Sequence, residues 1–132
     1  MTPEQRSALE ARLALERERT TATEDALVTE LESIIEASAQ SNLDDEHDPE
    51  GATVGFERAQ VASQIAEARR RLSEIDQAAE RLSTGAFGTC ARCGQPIALE
   101  RLLAHPTAVT CVGCADDTGR SGALVRRAPD RR

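Results

Sequence analysis

Cys90, Cys93, Cys111 and Cys114 are the residues whose type and spacing most clearly imply chemistry. They form a C-x2-C-x17-C-x2-C pattern, which lies within the spacing of four-cysteine zinc sites. Two residues between cysteines make a tight knuckle that points both sulfurs at one ion, and two knuckles complete a tetrahedron. Gly94, directly after Cys93, and Gly113, inside the second pair, suit a tight backbone with amides turned toward the sulfurs. Four protein ligands leave no open coordination position, so the pattern predicts one structural zinc ion and no catalytic metal. Two other readings use the same residues: a pair of redox dithiols, or two independent thiol pairs without metal. A lone redox pair leaves the second pair unexplained, and the spacing favours zinc over both. Arg92 and Arg101 lie close enough in sequence to offset the negative charge of a tetrathiolate site. His105 is expected on the surface or in packing, since the cysteines already fill the coordination sphere.

A second concentration of chemical groups is acidic. Asp44, Asp45, Glu46 and Asp48, with Glu50 just beyond and His47 between, form a carboxylate-rich turn. Such a cluster suits magnesium or arginine partners. Its bland alternative is a solvated turn in which Asp48 caps the next helix and His47 pairs with a carboxylate.

The elements that must position these groups read as helices. Residues 3–41 contain no internal Pro or Gly; Thr2 can cap this first helix, and Pro3 occupies the first-turn position where proline is tolerated. Its apolar stripe is Leu13, Leu27, Leu31 and Ile34 with Thr20 on the same face, and it is weak between Glu16 and Asp25, where core positions are polar. Residues 49–84 have a cleaner pattern: Val54, Val61, Ala68, Ile75 and Leu82 recur every seven residues, with Ile65, Leu72 and Ala79 interleaved. Arg58 is the one interruption, Asp48-Pro49-Glu50 signals the start and Gly85 the stop. The spacing predicts a mainly α fold: a long antiparallel helical hairpin, or coiled coil, over 1–84 with its acidic tip near 44–50. A four-cysteine module follows over 85–115, then a flexible basic tail over 116–132 with a short ordered start. With the turn near 44–48, Leu82 is expected opposite about residue 14, leaving Leu9 and Leu13 to pack on the zinc module.

Composition agrees with a thin core. Aromatics are 2% of the 132 residues (Phe56 and Phe87), and 30% are charged. Large globular cores bury several aromatics, whereas a Leu/Ile/Val/Ala seam does not need them. Residues 1–89 carry 19 Asp+Glu against 9 Arg, while residues 90–132 carry 4 against 7. A long acidic arm is repelled by nucleic-acid phosphates, so direct sequence-specific DNA binding is not expected. No apolar run approaches a membrane span or a signal peptide, which predicts a cytoplasmic protein. Abundant Ala and Arg, with no Lys, is the style of a GC-rich bacterial genome.

The residues Phe87-Gly88-Thr89-Cys90-Ala91-Arg92-Cys93-Gly94, then Pro96-Ile97, Arg101-Leu102, Pro106-Thr107-Ala108 and Cys111-Val112-Gly113-Cys114, resemble the DksA/TraR-type zinc finger. The motif covers about a quarter of the chain, and a helical hairpin with an acidic turn directly upstream extends the likeness. The resemblance implies a regulator that binds RNA polymerase, inserts the hairpin into the secondary channel, and brings the tip acids near the catalytic magnesium to modulate initiation. It also implies a monomer; no nucleophile–base constellation appears and the metal has no open site, so no enzymatic activity is expected. Asp45 and Asp48 fit the two acids of a D-x-x-D-x-A tip pattern, but Glu50 stands where alanine is expected. His105 replaces an arginine that often precedes Pro-Thr-Ala, and Ala115 stands where a basic residue can follow the last cysteine. Those positions contribute to guanosine tetraphosphate binding in some members, so this chain is not expected to respond to that nucleotide as they do. The competing functions are a zinc-capped coiled-coil adaptor and, less favoured, a DNA-binding zinc finger.

Overall fold

The protein is described by a computed structural model over residues 1–41 and 49–120. Four helices follow one another: α1 (Pro3–Ser41), α2 (Pro49–Thr84), α3 (Leu99–Ala104) and α4 (Val112–Arg120). Among the described residues the nearest approach to β structure is an isolated antiparallel bridge between Thr89 and Pro96. The mainly helical expectation therefore holds. Helix α2, with 36 residues, is about 54 Å long at 1.5 Å per residue.

The start of α1 is held by a reciprocal cap. The Gln5 backbone N–H donates to Thr2 Oγ1 (3.1 Å), and the Thr2 N–H donates to Gln5 Oε1 (2.9 Å). Two of the helix's orphan donors are thereby satisfied. The end of α2 is equally specific: Gly85 takes φ +82°, and Ala86 N–H reaches back to the Arg81 carbonyl at 2.9 Å. That is the Schellman closure that a left-handed glycine permits.

Helices α1 and α2 run antiparallel. Arg17 pairs with Asp76 and Glu24 with Arg69, so seven residues along one helix match seven back along the other. Continuing that register sets Leu82 near Ala11, not near 14 as expected, and it agrees within a residue with the position that a turn centred at 46 dictates, residue 10. Leu13, Val61, Ile65, Ala68, Ile75 and Leu82 are buried, while Leu27, Leu31, Ile34, Val54 and Leu72 are half-buried. At the base the seam departs from the strict heptad. Ala78 is fully buried and Ala79 is exposed, the reverse of the expected assignment. A 3.6-residue helix drifts against a 3.5-residue repeat, and here α2 also has the finger to cover.

The polar interval of α1 is a cross-link. Thr20 is buried with its hydroxyl donating to the Glu16 carbonyl (2.7 Å). Glu16 accepts from Arg12 on its own helix (2.8 Å) and from Arg71 on α2 (2.9 Å). Where the stripe lacks Leu, these contacts span the two helices.

Leu9, Leu13, Ile75, Ala78, Leu82, Phe87, Cys90, Ile97 and Leu102 form one buried cluster. Leu9 and Leu13 thus pack toward the cysteine module, as expected. Arg12 Nε also donates to the Leu103 carbonyl (3.1 Å), tying α1 to α3. Among the described residues no helix is long and apolar enough to cross a membrane.

Candidate metal centre

The first knuckle is a tight hairpin. Cys90 N–H donates to the Gln95 carbonyl (2.8 Å), Gly94 N–H to the Cys90 carbonyl (2.9 Å), and Ile97 N–H to the Gly88 carbonyl (2.8 Å). The chain must reverse within four residues, and Gly94 does so at φ +74°, a region that costs residues with a Cβ. Gly88 has φ +92° on the other side of the turn.

The second knuckle differs. Cys111 immediately precedes α4 and Cys114 lies in its first turn, with Ala115 N–H closing on the Cys111 carbonyl at 2.9 Å. Gly113 has helical rather than left-handed backbone, so the second knuckle makes its tight turn as the first turn of α4. Helix α4 runs on to Arg120, past the expected module boundary at 115. The tail residues 121–132 lie outside the described residues.

The two knuckles are joined by backbone. Ala91 N–H donates to the Val109 carbonyl (2.8 Å), and Arg101 Nε donates to the Thr110 carbonyl (2.9 Å). Arg101, expected only as a counter-charge, therefore anchors the strand of chain that enters Cys111. Leu102 and Pro106 fill the space beneath, both buried. His105 is exposed and closes α3, its N–H bonding the Arg101 carbonyl at 2.7 Å.

All four sulfurs lie within 4.8 Å of one another, and Cys93 Sγ to Cys111 Sγ is 3.8 Å. A regular tetrahedron with metal–sulfur bonds of about 2.3 Å has edges of about 3.8 Å. The donor set therefore fits one zinc ion. Electrostatics leads to the same place. Backbone amides of Cys111 and Cys93 turned toward the Cys90 sulfur, with that of Arg92, lower its pKa to about 6 against the opposition of burial. The Cys111 sulfur, burial and the sulfurs of Cys90 and Cys93 push Cys114 up to about 12. At Cys93 the Gln95 amide favours the thiolate, but neighbouring Cys90, burial and Cys111 outweigh it and raise the thiol. Four thiols this close cannot all ionise without a cation between them, and a divalent ion supplies that charge.

Residues 85–118 match the prokaryotic dksA/traR C4-type zinc finger. The module is a zinc finger of the DksA/TraR type. Its cofactor is one structural zinc ion. Over 44 residues the chain is 48% identical to the RNA polymerase-binding transcription factor DksA of Caulobacter vibrioides, covering 33% of this chain and 31% of that one. Over 46 residues it is 39% identical to DksA of Haemophilus influenzae, covering 35% and 32%. The matched segment thus spans about a third of the length of these curated relatives. The structural likeness reaches further: transcription factor DksA2 from Pseudomonas aeruginosa superposes with a TM-score of 0.72 at 26% identity, over 91% of this chain and 87% of that one. The finger's attachment to a two-helix arm is shared along with the finger itself.

The acidic positions Asp44, Asp45, Glu46 and Asp48, with His47, lie outside the described residues. Sequence reasoning missed the Glu16–Arg12–Arg71 cross-link. The signal was present: an acid at a seam position of α1 and an arginine beside the seam of α2.

Proposed function

We propose that this chain is a non-catalytic transcription regulator that binds RNA polymerase, enters its secondary channel with the acidic end of the hairpin, and modulates initiation. The observation that carries the reading is the superposition over 91% of the chain with a DksA2, because it takes in the arm as well as the finger. Cys90, Cys93, Cys111 and Cys114 hold the zinc at the foot of the arm. Asp44, Asp45, Glu46 and Asp48 are the residues that face the polymerase active site. A tetrathiolate zinc has no free position for substrate, so the metal orders the base and the arm does the regulating. The formal charge of −7, weighted toward the arm, disfavours a DNA-first mode of action. Such a factor works as a cytoplasmic monomer.

The test is transcription in vitro with purified RNA polymerase, comparing wild type with Asp45→Asn/Asp48→Asn. Wild type is expected to change promoter-complex lifetime and transcript yield; the double variant is expected to bind the enzyme yet lose most of that effect. No binding and no change with wild type overturns the polymerase reading. An unaltered effect in the variant overturns the tip assignment alone.

A further inference from the structure

The two halves of the zinc centre are held in different ways. Cys90 is 2% exposed, and its knuckle closes on itself through the Cys90–Gln95, Gly94–Cys90 and Ile97–Gly88 backbone bonds. Cys111 and Cys114 are half-buried at the head of α4, a helix with no substantial contact to another helix among the described residues. The chain's approach to this second knuckle is fixed by the Ala91–Val109 backbone bond and by the Arg101 guanidinium. Arg101 Nε donates to the Thr110 carbonyl, one residue before Cys111, at 2.9 Å.

Arg101 can hold that carbonyl only as firmly as α3 itself is held. A helix of six residues is too short to persist without tertiary support. Buried Leu102 seats one face of it. At its C-terminal end the Leu103 carbonyl, an orphan acceptor of the last turn, takes a hydrogen bond from Arg12 Nε on α1 at 3.1 Å. A cation at that end also meets the negative pole of the helix. Arg12 is in turn fixed: its Nη2 lies 2.8 Å from Glu16 Oε1, and the other oxygen of Glu16 takes Arg71 of α2 at 2.9 Å. Arg71, Glu16, Arg12, α3 and Arg101 therefore make one unbroken line of contacts from the shaft to the residue preceding Cys111. A planar guanidinium spans a carboxylate and a carbonyl at once in a way that a lysine ammonium does not reproduce.

We infer that Arg12 is a positioning residue for the zinc centre: through α3 and Arg101 it holds the Cys111–Cys114 knuckle in place, and that knuckle is the first to let go of the ion. The inference rests on the zinc assignment and stands apart from the polymerase reading. Metal retention is then set in part from the shaft, by the side chain that joins the Glu16 cross-link to the finger.

The measurement is zinc release from the full chain into excess chelator, followed with a metal-sensitive dye. Parallel samples contain iodoacetamide, and the alkylated cysteines are assigned by peptide mass mapping. Arg101→Ala is expected to release zinc about tenfold faster, the scale on which groups that orient metal ligands act. Arg12→Ala is expected to release it at least about threefold faster, the effect of losing one hydrogen bond to a charged group at a partly exposed site. The double variant should release about as fast as Arg101→Ala alone, because both substitutions cut the same line of contacts. Arg6→Ala, which removes the exposed Arg6–Glu10 pair of α1, should stay within about twofold of wild type, the range of an exposed pair. Cys111 and Cys114 should be alkylated before Cys90 and Cys93, and sooner in Arg12→Ala than in wild type. A smaller effect of Arg12→Ala, or effects of the two substitutions that multiply, overturns the brace. Equal acceleration in Arg6→Ala traces the effect to a general loosening of α1 and overturns it as well. First alkylation at Cys90 or Cys93 overturns the assignment of the knuckle that opens.

Discussion

At the scale of the residue, the finger is controlled by where sulfurs and glycines sit. Cys90 is the most buried of the four cysteines and belongs to the same cluster as Leu9 and Ile75. Cys90→Ser replaces a thiolate donor with a poor one, and metal ligation is part of the folding free energy of such modules. Stoichiometric zinc is expected to be lost on dialysis, with most far-UV helical signal retained because the α1–α2 seam does not pass through the metal. Global loss of helix in that variant would show that the finger supports the whole arm. Gly94→Ala tests the knuckle differently. Nothing crowds a Cβ there, so the cost is the left-handed backbone itself, about 1–2 kcal/mol. The variant should still bind zinc but release it faster to a chelator; unchanged release would remove the conformational argument.

At the scale of the element, the joint between α1 and the finger depends on Leu9, which has 0% exposure. Leu9→Ala should cost about 2–5 kcal/mol, because it leaves a cavity in the buried cluster that joins the arm to the finger; a melting temperature within a degree of wild type would contradict that packing. Glu16 governs the polar stretch of the seam. The hydrogen bond from Arg71 holds its carboxyl below the usual 4.5 against the opposing effect of burial, with Arg12 and Arg19 adding to the lowering. A pKa lower in the folded than in the unfolded chain means that unfolding takes up protons as the solution is acidified. The stabilisation is therefore complete above 4.5 and fades as pH falls through the depressed value. Glu16→Gln should cost about 1 kcal/mol at neutral pH, the upper end for partly exposed pairs. That difference should vanish on acidification, and denaturant melts of the two proteins at pH 7 and at strongly acid pH measure it.

At the scale of the whole molecule, charge and shape point the same way. An arm about 50 Å long bears most of the negative charge, and the net balance turns positive only over residues 90–132, with 4 Asp+Glu against 7 Arg. Binding to a basic protein surface is then expected to weaken as salt rises from about 0.1 M to about 1 M, where the screening length falls from about 10 Å to about 3 Å. Affinity for core polymerase that is indifferent to salt would locate the grip in apolar contacts alone. The sequence by itself determined the helices, their caps and the four-cysteine centre, because these depend on local spacing: Thr2 with Gln5, Gly85 at φ +82°, and two C-x2-C knuckles. It also displayed the finger's motif, which the match over residues 85–118 bears out. Only the tertiary structure decided the rest. The pairing of Arg17 with Asp76 set the register, the finger drew Ala78 inward in place of Ala79, and Glu16 became a bridge to α2. Each of these depends on which residues distant in sequence meet across a contact, and a periodic pattern on one helix carries the face but not the partner.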